Sequence, residues 1–348
     1  MLKWAAVPPP IFIKAPGKNG GPQKGDIMTS PMQATAQGSG LSLQQQRQRA
    51  AFWFLAPMVI ALFCVAAWPL LRTIWFSFTD TSMDNLYGGK WVWFDNYLRL
   101  QTMPSGATRW RGTLADPAWW NAVWNTVRFA FVSVTLETVF GLGVALVLNA
   151  EFKGRGIVRA AILIPWAIPT IVSAKMWAWM LNDQYGIINV ILLNLHLIDH
   201  KIAWTASTDT AMIAVLIVDV WKTTPFMALL CLAGLQMVPR DIYEAARLDG
   251  IHPVKVFFKL TLPLIRPAVA VAVIFRMLDA LRIFDLVYVL TPDSKATKTM
   301  SVISRQNLFE YNNFAYGAAQ STLLFAILAI FVSLYIWLGK VDLTGEGK

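Results

Sequence analysis

The chain has 348 residues, 56% of them apolar and only 14% charged, with a formal net charge of +10. A soluble domain carries roughly 25% charged residues, so this composition excludes an ordinary water-soluble globule and turns attention to membrane spans. The cationic excess comes without zinc-finger spacing or a basic stripe on a polar helix, which sets nucleic acid aside as a partner; lysine and arginine gathering on the cytoplasmic side of a membrane protein accounts for it.

Residues 1–50 are rich in Gly, Pro, Gln and Ser and hold Lys3, Lys14, Lys18, Lys24, Arg47 and Arg49, with no apolar stretch ahead of a cleavage site. They read as a disordered cytoplasmic tail rather than a signal peptide, and Met28 and Met32 are alternative starts. A helix needs about 20 apolar residues to cross the hydrocarbon core. Six stretches qualify: 52–78, 126–148, 158–181, 211–235, 267–290 and 316–338. The third contains Pro165 and Pro169 and the fourth Pro225, which spans tolerate when neighbours satisfy the freed backbone groups. An all-α membrane domain over 51–340 follows, ending in a short tail, 341–348. No repeat at a solenoid period is visible. Cys64 and Cys231 lie in apolar runs without ligand-like neighbours, which argues against a metal site or disulfide framework.

Loop charge sets the expected orientation. With the N-terminus inside, the cytoplasmic segments hold the tail cations, then Lys153, Arg155 and Arg159, then Arg240, Arg247, Lys255, Lys259 and Arg266, then Lys340 and Lys348. The opposite loops hold Lys90, Arg99, Arg109, Arg111, Lys201, Lys295, Lys298 and Arg305, half as many. The asymmetry favours both termini in the cytoplasm. The first external loop, 79–125, carries Trp91, Trp93, Trp110, Trp119, Trp120 and Trp124, read as an interfacial anchor.

The loop 238–266 stands apart. Asp241 and Glu244, three residues on, have capping-box spacing, and the predicted helix runs through Leu248 to Gly250, a residue suited to a left-handed stop. A second short helix follows Pro253, with Val256 and Phe257 apolar among cations. Two amphipathic helices of this kind fit either a partner site or the membrane surface.

The spacing Glu244-Ala245-Ala246, three residues, Gly250, nine residues, Leu260, one residue, Leu262-Pro263 resembles the EAA loop of bacterial ABC importer permeases, with Leu260 where that pattern usually has isoleucine. The flanks, Trp221-Lys-Thr-Thr-Pro225 and Arg282-Ile-Phe-Asp-Leu-Val-Tyr-Val-Leu-Thr291, are similar to the sugar branch of that family, on the side of the larger permease of maltose and trehalose importers. The resemblance covers residues 50 to 340. It implies the transmembrane domain of a type I importer, in which the loop docks as a coupling helix in a cleft of a cytoplasmic ATPase through Tyr243, Glu244, Ala245, Ala246, Asp249 and Gly250. It also implies a second homologous permease, two ATPase copies, and an external sugar-binding protein. Such a subunit is not an enzyme: it binds no cofactor, since ATP and magnesium belong to the ATPase. The chain has neither a phosphate-binding Gly-rich loop nor a nucleophile elbow, and its three histidines, His196, His200 and His252, lie in or near loops.

Ionisable residues inside spans are costly and face a cavity or a partner. The fourth span has Asp219 and Lys222; the fifth has Arg276, Asp279, Arg282 and Asp285 on a spiral, spaced for Arg276–Asp279 and Asp279–Arg282 pairs. Mutual neutralisation that locks the bundle and a polar cavity that passes sugar both fit. Alignment with the maltose-importer permease implies substrate-path positions at Trp166, Thr170, Asp219, Lys222, Thr223, Phe226, Asp279 and Arg282, although that permease uses mostly neutral groups there. Glu137 and Lys175 are read as structural. Pro-Asp-Ser-Lys after Thr291 replaces a glycine-rich turn common in the family and bears on the fit of the binding protein. The expected cargo is a di- or oligosaccharide of the trehalose or maltose type, with glycerol phosphate, a polyol or another glycoside as alternatives. A proton-coupled carrier would show paired repeats and broken helices, and an enzyme acting on lipid-linked sugars would need an interfacial carboxylate or histidine cluster.

Overall fold

A computed structural model describes residues 43–104, 106–292 and 294–339. Most of the tail expected over 1–50, the alternative starts Met28 and Met32, and the tail 341–348 lie outside the described residues. The chain falls into two compact units, up to Ile60 and from Ala61. The described part of the first is helical, with Phe52, Trp53, Phe54 and Leu55 exposed, as suits side chains whose solvent is lipid.

One helical run comprises α1 (Leu43–Leu62), a π-turn (Phe63–Ala67) and α2 (Trp68–Phe76). The loop between the first two spans folds into a two-stranded hairpin, β1 (Arg99–Thr102) and β2 (Thr108–Arg111). Next come α3 (Pro117–Asn149), α4 (Arg155–Ile162), α5 (Ile164–Ala167), α6 (Thr170–Met180) and α7 (Ile187–Asn194). Then follow α8 (Ala211–Gln236), α9 (Arg240–Leu248), α10 (Pro253–Val256) and, after a π-turn at Phe257–Thr261, α11 (Leu262–Leu281). The chain closes with α12 (Asp285–Leu290), α13 (Met300–Arg305) and α14 (Phe314–Gly339).

Among the described residues, five helices are long and apolar enough to cross a membrane, at Gln44–Phe76, Pro117–Asn149, Ala211–Gln236, Pro253–Leu281 and Phe314–Trp337. The sixth candidate is a bent pair, Arg155–Ala167 and Thr170–Met180, with 88° between its halves. The third predicted span is therefore not one continuous helix. Proline disfavours helical geometry in the residue before it, and Ile168 is extended (φ −71°, ψ 132°) ahead of Pro169. The fifth predicted span also needs correction. It starts at Pro253 rather than 267, and it stops at Leu281, because Arg282 and Phe284 leave helical dihedrals before α12. α3 begins nine residues before the predicted 126. Asp116 accepts a hydrogen bond from the Ala118 amide with Pro117 in the first turn, a strong start signal. Trp119, expected as an interfacial anchor, is consequently a buried core residue.

The core is built where α3, α8 and α11 pack against one another. Membrane helices approach closely through small residues. A Cβ on Gly141 of α3 would sit 2.7 Å from Met227 Cγ on α8, and one on Gly234 of α8 would sit 2.6 Å from Ala268 Cβ on α11. α14 packs against α2, α11 and α13.

In the loop 238–266, Gly250 has the expected positive φ, 66°. The capping box does not form: the N-cap is Pro239, extended at ψ 138°, and no side chain caps the helix. The proline starts the helix two residues early, leaving Asp241 inside the first turn, where its charge still complements the helix dipole. α10 is capped instead by His252, whose Nδ1 accepts from the Val254 amide at 3.3 Å.

Candidate functional site

Two regions carry the polar chemistry. The first is an ion cluster where α3, α8 and α11 meet. Arg276 on α11 is almost closed to solvent, as are Glu137 on α3 and Asp219 on α8. Arg276 Nε donates to Glu137 Oε2 at 2.5 Å, and its Nη2 donates to Glu137 Oε1 at 2.9 Å and to Asp219 Oδ2 at 2.5 Å. Nη1 donates to Asp279 Oδ2 at 3.0 Å. Ser133 Oγ lies within bonding reach of both Glu137 Oε1 (2.8 Å) and Asp219 Oδ2 (2.6 Å). A buried ion survives desolvation when its partners satisfy its lone pairs and protons; here one guanidinium and one hydroxyl bind three helices together. Arg276 thus has the predicted Asp279 partner and two others that the sequence did not announce. Glu137, read as structural, sits at the cluster's centre.

Around this cluster lie the residues expected along a substrate path. Asp219 is engaged by Arg276 and Ser133. Lys222, one turn further along α8, is also buried, and its Nζ donates to the carbonyls of Ile168 (2.9 Å) and Trp166 (3.3 Å). Those oxygens sit at the bend before Pro169, so the ammonium satisfies a helix end that the break opened. Thr223 Oγ1 donates back to the Asp219 carbonyl at 2.7 Å. Trp166 on α5 is about half exposed and stacks on Phe226 of α8, with ring centroids 5.6 Å apart and planes 12° apart. Thr170 opens α6 just past the bend and is half-buried. Asp279 and Arg282, at the end of α11, have side chains 61% and 67% exposed, and their charged groups stand 3.9 Å apart. Lys222 ties the Trp166–Phe226 pair to the bend, while Asp219, Arg276, Asp279 and Arg282 form a second run of contacts; the two runs meet through α8, where Asp219 and Lys222 are three residues apart. An exposed indole face ends the first run, and an exposed carboxylate and guanidinium end the second. Lys175, also read as structural, lies on α6.

The second region is a cleft of about 910 Å³ between the end of α3 and the helices α9 and α10, lined among others by Asn149, Glu151, Arg240, Tyr243, Glu244 and Arg247. Arg240 and Glu151 form an ion pair across its mouth at 2.7 Å. α9 turns Ala246 inward, buried, while Glu244, Ala245, Asp249 and Gly250 are exposed and Tyr243 is half-buried. Leu248, where the predicted helix runs to its end, is 89% exposed, an apolar side chain turned outward.

The profile of the family described as "Binding-protein-dependent transport system inner membrane component" matches residues 137–342. The chain is 38% identical over 299 residues to the trehalose/maltose transport system permease protein MalF of Thermococcus litoralis, covering 86% of this chain and 96% of that protein. It is 36% identical over 313 residues to the trehalose transport system permease protein SugA of Mycobacterium tuberculosis (89% and 95% covered). It is 33% identical over 288 residues to the sulfoquinovosyl glycerol transport system permease protein SmoG of Agrobacterium fabrum (82% and 89%). Among solved structures, a chain of a bacterial ABC transporter that imports the acidic polysaccharide alginate superposes with a TM-score of 0.70 at 17% identity, covering 86% of this chain and 98% of that one; at that identity the likeness concerns fold.

Proposed function

Because the chain belongs to the family of binding-protein-dependent transport system inner-membrane components, we propose that it is one of two permease subunits of an ATP-driven importer whose cargo is a di- or oligosaccharide of the trehalose or maltose type. The observation that carries the reading is α9: a short helix with Ala246 turned in and Glu244, Ala245 and Leu248 turned out beside an open cleft. A membrane subunit without a nucleotide site of its own needs such a handle for a motor held elsewhere. The partners on this reading are a second homologous permease, two copies of a cytoplasmic ATPase and an external sugar-binding protein, with both termini in the cytoplasm and ATP and magnesium on the ATPase.

The cargo is supported by the relatives named for trehalose and maltose and by the chemistry at the ends of the buried cluster. A sugar presents apolar ring faces to aromatic planes and hydroxyls to planar polar groups; Trp166 on Phe226 offers the first, and Asp279 and Arg282 offer the second. Closing of the ATPases on ATP would draw on α9 and move α8 and α11 about the ion cluster, opening the path alternately to either side. A glycoside carrying an anionic group is the second reading, favoured by the exposed Arg282 and by the relative named for sulfoquinovosyl glycerol. Lys222 adds little to it, being occupied by two carbonyls.

The test is to assemble this chain with the permease, ATPase and binding protein encoded with it in lipid nanodiscs and to measure ATP hydrolysis and uptake of labelled trehalose and maltose. Glu244→Lys is expected to abolish sugar-stimulated hydrolysis while the permease pair still assembles. Unaltered hydrolysis in that variant would remove the coupling reading. Stimulation by an anionic glycoside, with indifference to both disaccharides, would replace the cargo.

A further inference from the structure

The hairpin β1–β2 pairs Arg99 with Arg111, Leu100 with Trp110, Gln101 with Arg109 and Thr102 with Thr108. Side chains alternate between the faces of a strand pair, so Arg99, Gln101, Arg109 and Arg111 share one face and Leu100 and Trp110 share the other. All three arginines are exposed. Like charges placed opposite one another destabilise a strand pair, and among the described residues none of the three forms an ion pair. Asp95, four residues before Arg99, is exposed but pairs with none of the three, and three further carboxylates of the region are engaged elsewhere. Asp80 accepts from the Lys90 amide, Asp84 from Asn312 at 2.9 Å, and Asp116 from the Ala118 amide and from Tyr316 at 3.1 Å.

The mount of this face is firm. Asn96 Nδ2, just before β1, donates to the carbonyls of Ser77 (2.9 Å) and Thr79 (2.7 Å), and Tyr97 OH donates to Ser77 Oγ at 2.6 Å. The amides of Thr113 and Leu114, just after β2, donate to the carbonyls of Asn96 and Tyr97. Its place is equally defined. The hairpin leads into the N-terminal end of α3, whereas the cleft at α9 is lined by Leu146 and Asn149 at the other end of the same helix. Thirty-three residues at 1.5 Å each span about 50 Å, against a hydrocarbon core of roughly 30 Å. Arg128 is exposed on α3, and a charge facing outward from a span marks its margin. The start of α3 is then about 17 Å beyond that margin, past the headgroups, which take roughly 5–8 Å per side. The hairpin that leads into this end of α3 therefore belongs to the side of the membrane opposite α9.

We propose that Arg99, Arg109 and Arg111 form the electrostatic landing face for an acidic surface of the soluble sugar-binding protein that delivers cargo to this side. The inference rests on the importer reading and gives that partner a place and a sign of charge. Charges at the rim of an interface act mainly on the rate of encounter and on its salt dependence, because they act within a Debye length of about 10 Å at 0.1 M salt.

The experiment titrates the complete importer in nanodiscs with its binding protein and reads the concentration that half-saturates stimulation of ATP hydrolysis, at low and at physiological salt. Arg99→Glu/Arg109→Glu/Arg111→Glu is expected to raise that concentration about tenfold at low salt and to flatten its salt dependence, with basal hydrolysis unchanged, while the triple lysine variant stays within about twofold of the parent. An unmoved half-saturation in the glutamate variant overturns the proposal even though the parent responds, and leaves the importer reading intact. A parent that ignores the binding protein sinks both. Should the glutamate variant lose only a dependence on phosphatidylglycerol in the nanodisc, the face reads lipid and the proposal is equally overturned.

Discussion

Arg276 Nη2 and Asp219 Oδ2 lie 2.5 Å apart, both almost sealed from solvent, and join α11 to α8 at the point where the same guanidinium reaches Glu137 on α3. Breaking a buried ion network by deleting one member costs about 3–5 kcal/mol, whereas replacing the whole set by groups of similar shape is often neutral. Arg276→Met is therefore expected to lower the thermal midpoint and folded yield of the detergent-purified chain sharply, by leaving the buried carboxylates of Glu137 and Asp219 without their cation. The triple change Glu137→Gln/Asp219→Asn/Arg276→Met should recover much of the loss. A midpoint for Arg276→Met equal to that of the parent would show that the network contributes nothing.

Arg276→Lys separates charge from geometry at the same site. An ammonium is a compact point charge without the planar fork of guanidinium, so it cannot reach Glu137, Asp219 and Asp279 at once. Its expected stability lies between the parent and Arg276→Met, by thermal unfolding in the same detergent.

Lys222 makes a different prediction because its partners are backbone. Leaving a buried acceptor unsatisfied costs about 1–3 kcal/mol, and Lys222→Met would strand the carbonyls of Trp166 and Ile168 at the bend. The chain should lose stability of that order, and the segment around Pro169 should label faster at an introduced cysteine than in the parent. Equal labelling would mean that the bend is held by proline alone.

What the sequence made legible follows from the range of the forces involved. Six spans, the prolines within them and the left-handed Gly250 are local properties, and each reappears in the structure, the third span as a bent pair. The break after Leu281 was hidden because residues 267–290 are apolar enough to read as one helix; no proline or glycine marks Arg282 to Phe284. The capping box failed because Pro239, one residue before Arg240, starts the helix first. At the candidate site, the i,i+3 spacing announced Arg276–Asp279. The bonds from Arg276 to Glu137, 139 residues away, and to Asp219, 57 residues away, depend on which helices pack together, and no local pattern encodes that. Trp166 and Phe226 were named separately through the family resemblance, and their stacking is tertiary in the same way.

Trp166 is the residue whose loss should separate cargo handling from folding. About half of it is exposed, and its ring rests on Phe226 without a side-chain hydrogen bond to carry. An aromatic pair adds about 0.5–1.5 kcal/mol beyond its buried area, so Trp166→Ala should cost stability only modestly. If the indole face receives a sugar ring, uptake of the disaccharide should fall at least tenfold, mostly as a raised KM, while Trp166→Phe retains most of it. Equal loss in both variants would assign the residue to packing.

Leu248 tests the other end of the molecule. An apolar side chain 89% exposed contributes nothing measurable to the isolated chain, and surface substitutions away from special features usually stay within about 0.5 kcal/mol. Leu248→Asp should therefore leave the thermal midpoint of the purified chain where it was. Against a partner the same side chain matters, because interface energy concentrates in a few residues that bury fully on docking. A carboxylate there, beside Asp249 and one turn from Glu244, would have to be buried without a cation of its own. Co-purification of the ATPase should drop, and the concentration of ATPase that half-restores sugar-stimulated hydrolysis should rise about tenfold or more. Full association of the aspartate variant would place Leu248 outside the docking surface and leave the outward-turned Glu244 and Ala245 as the residues that define it.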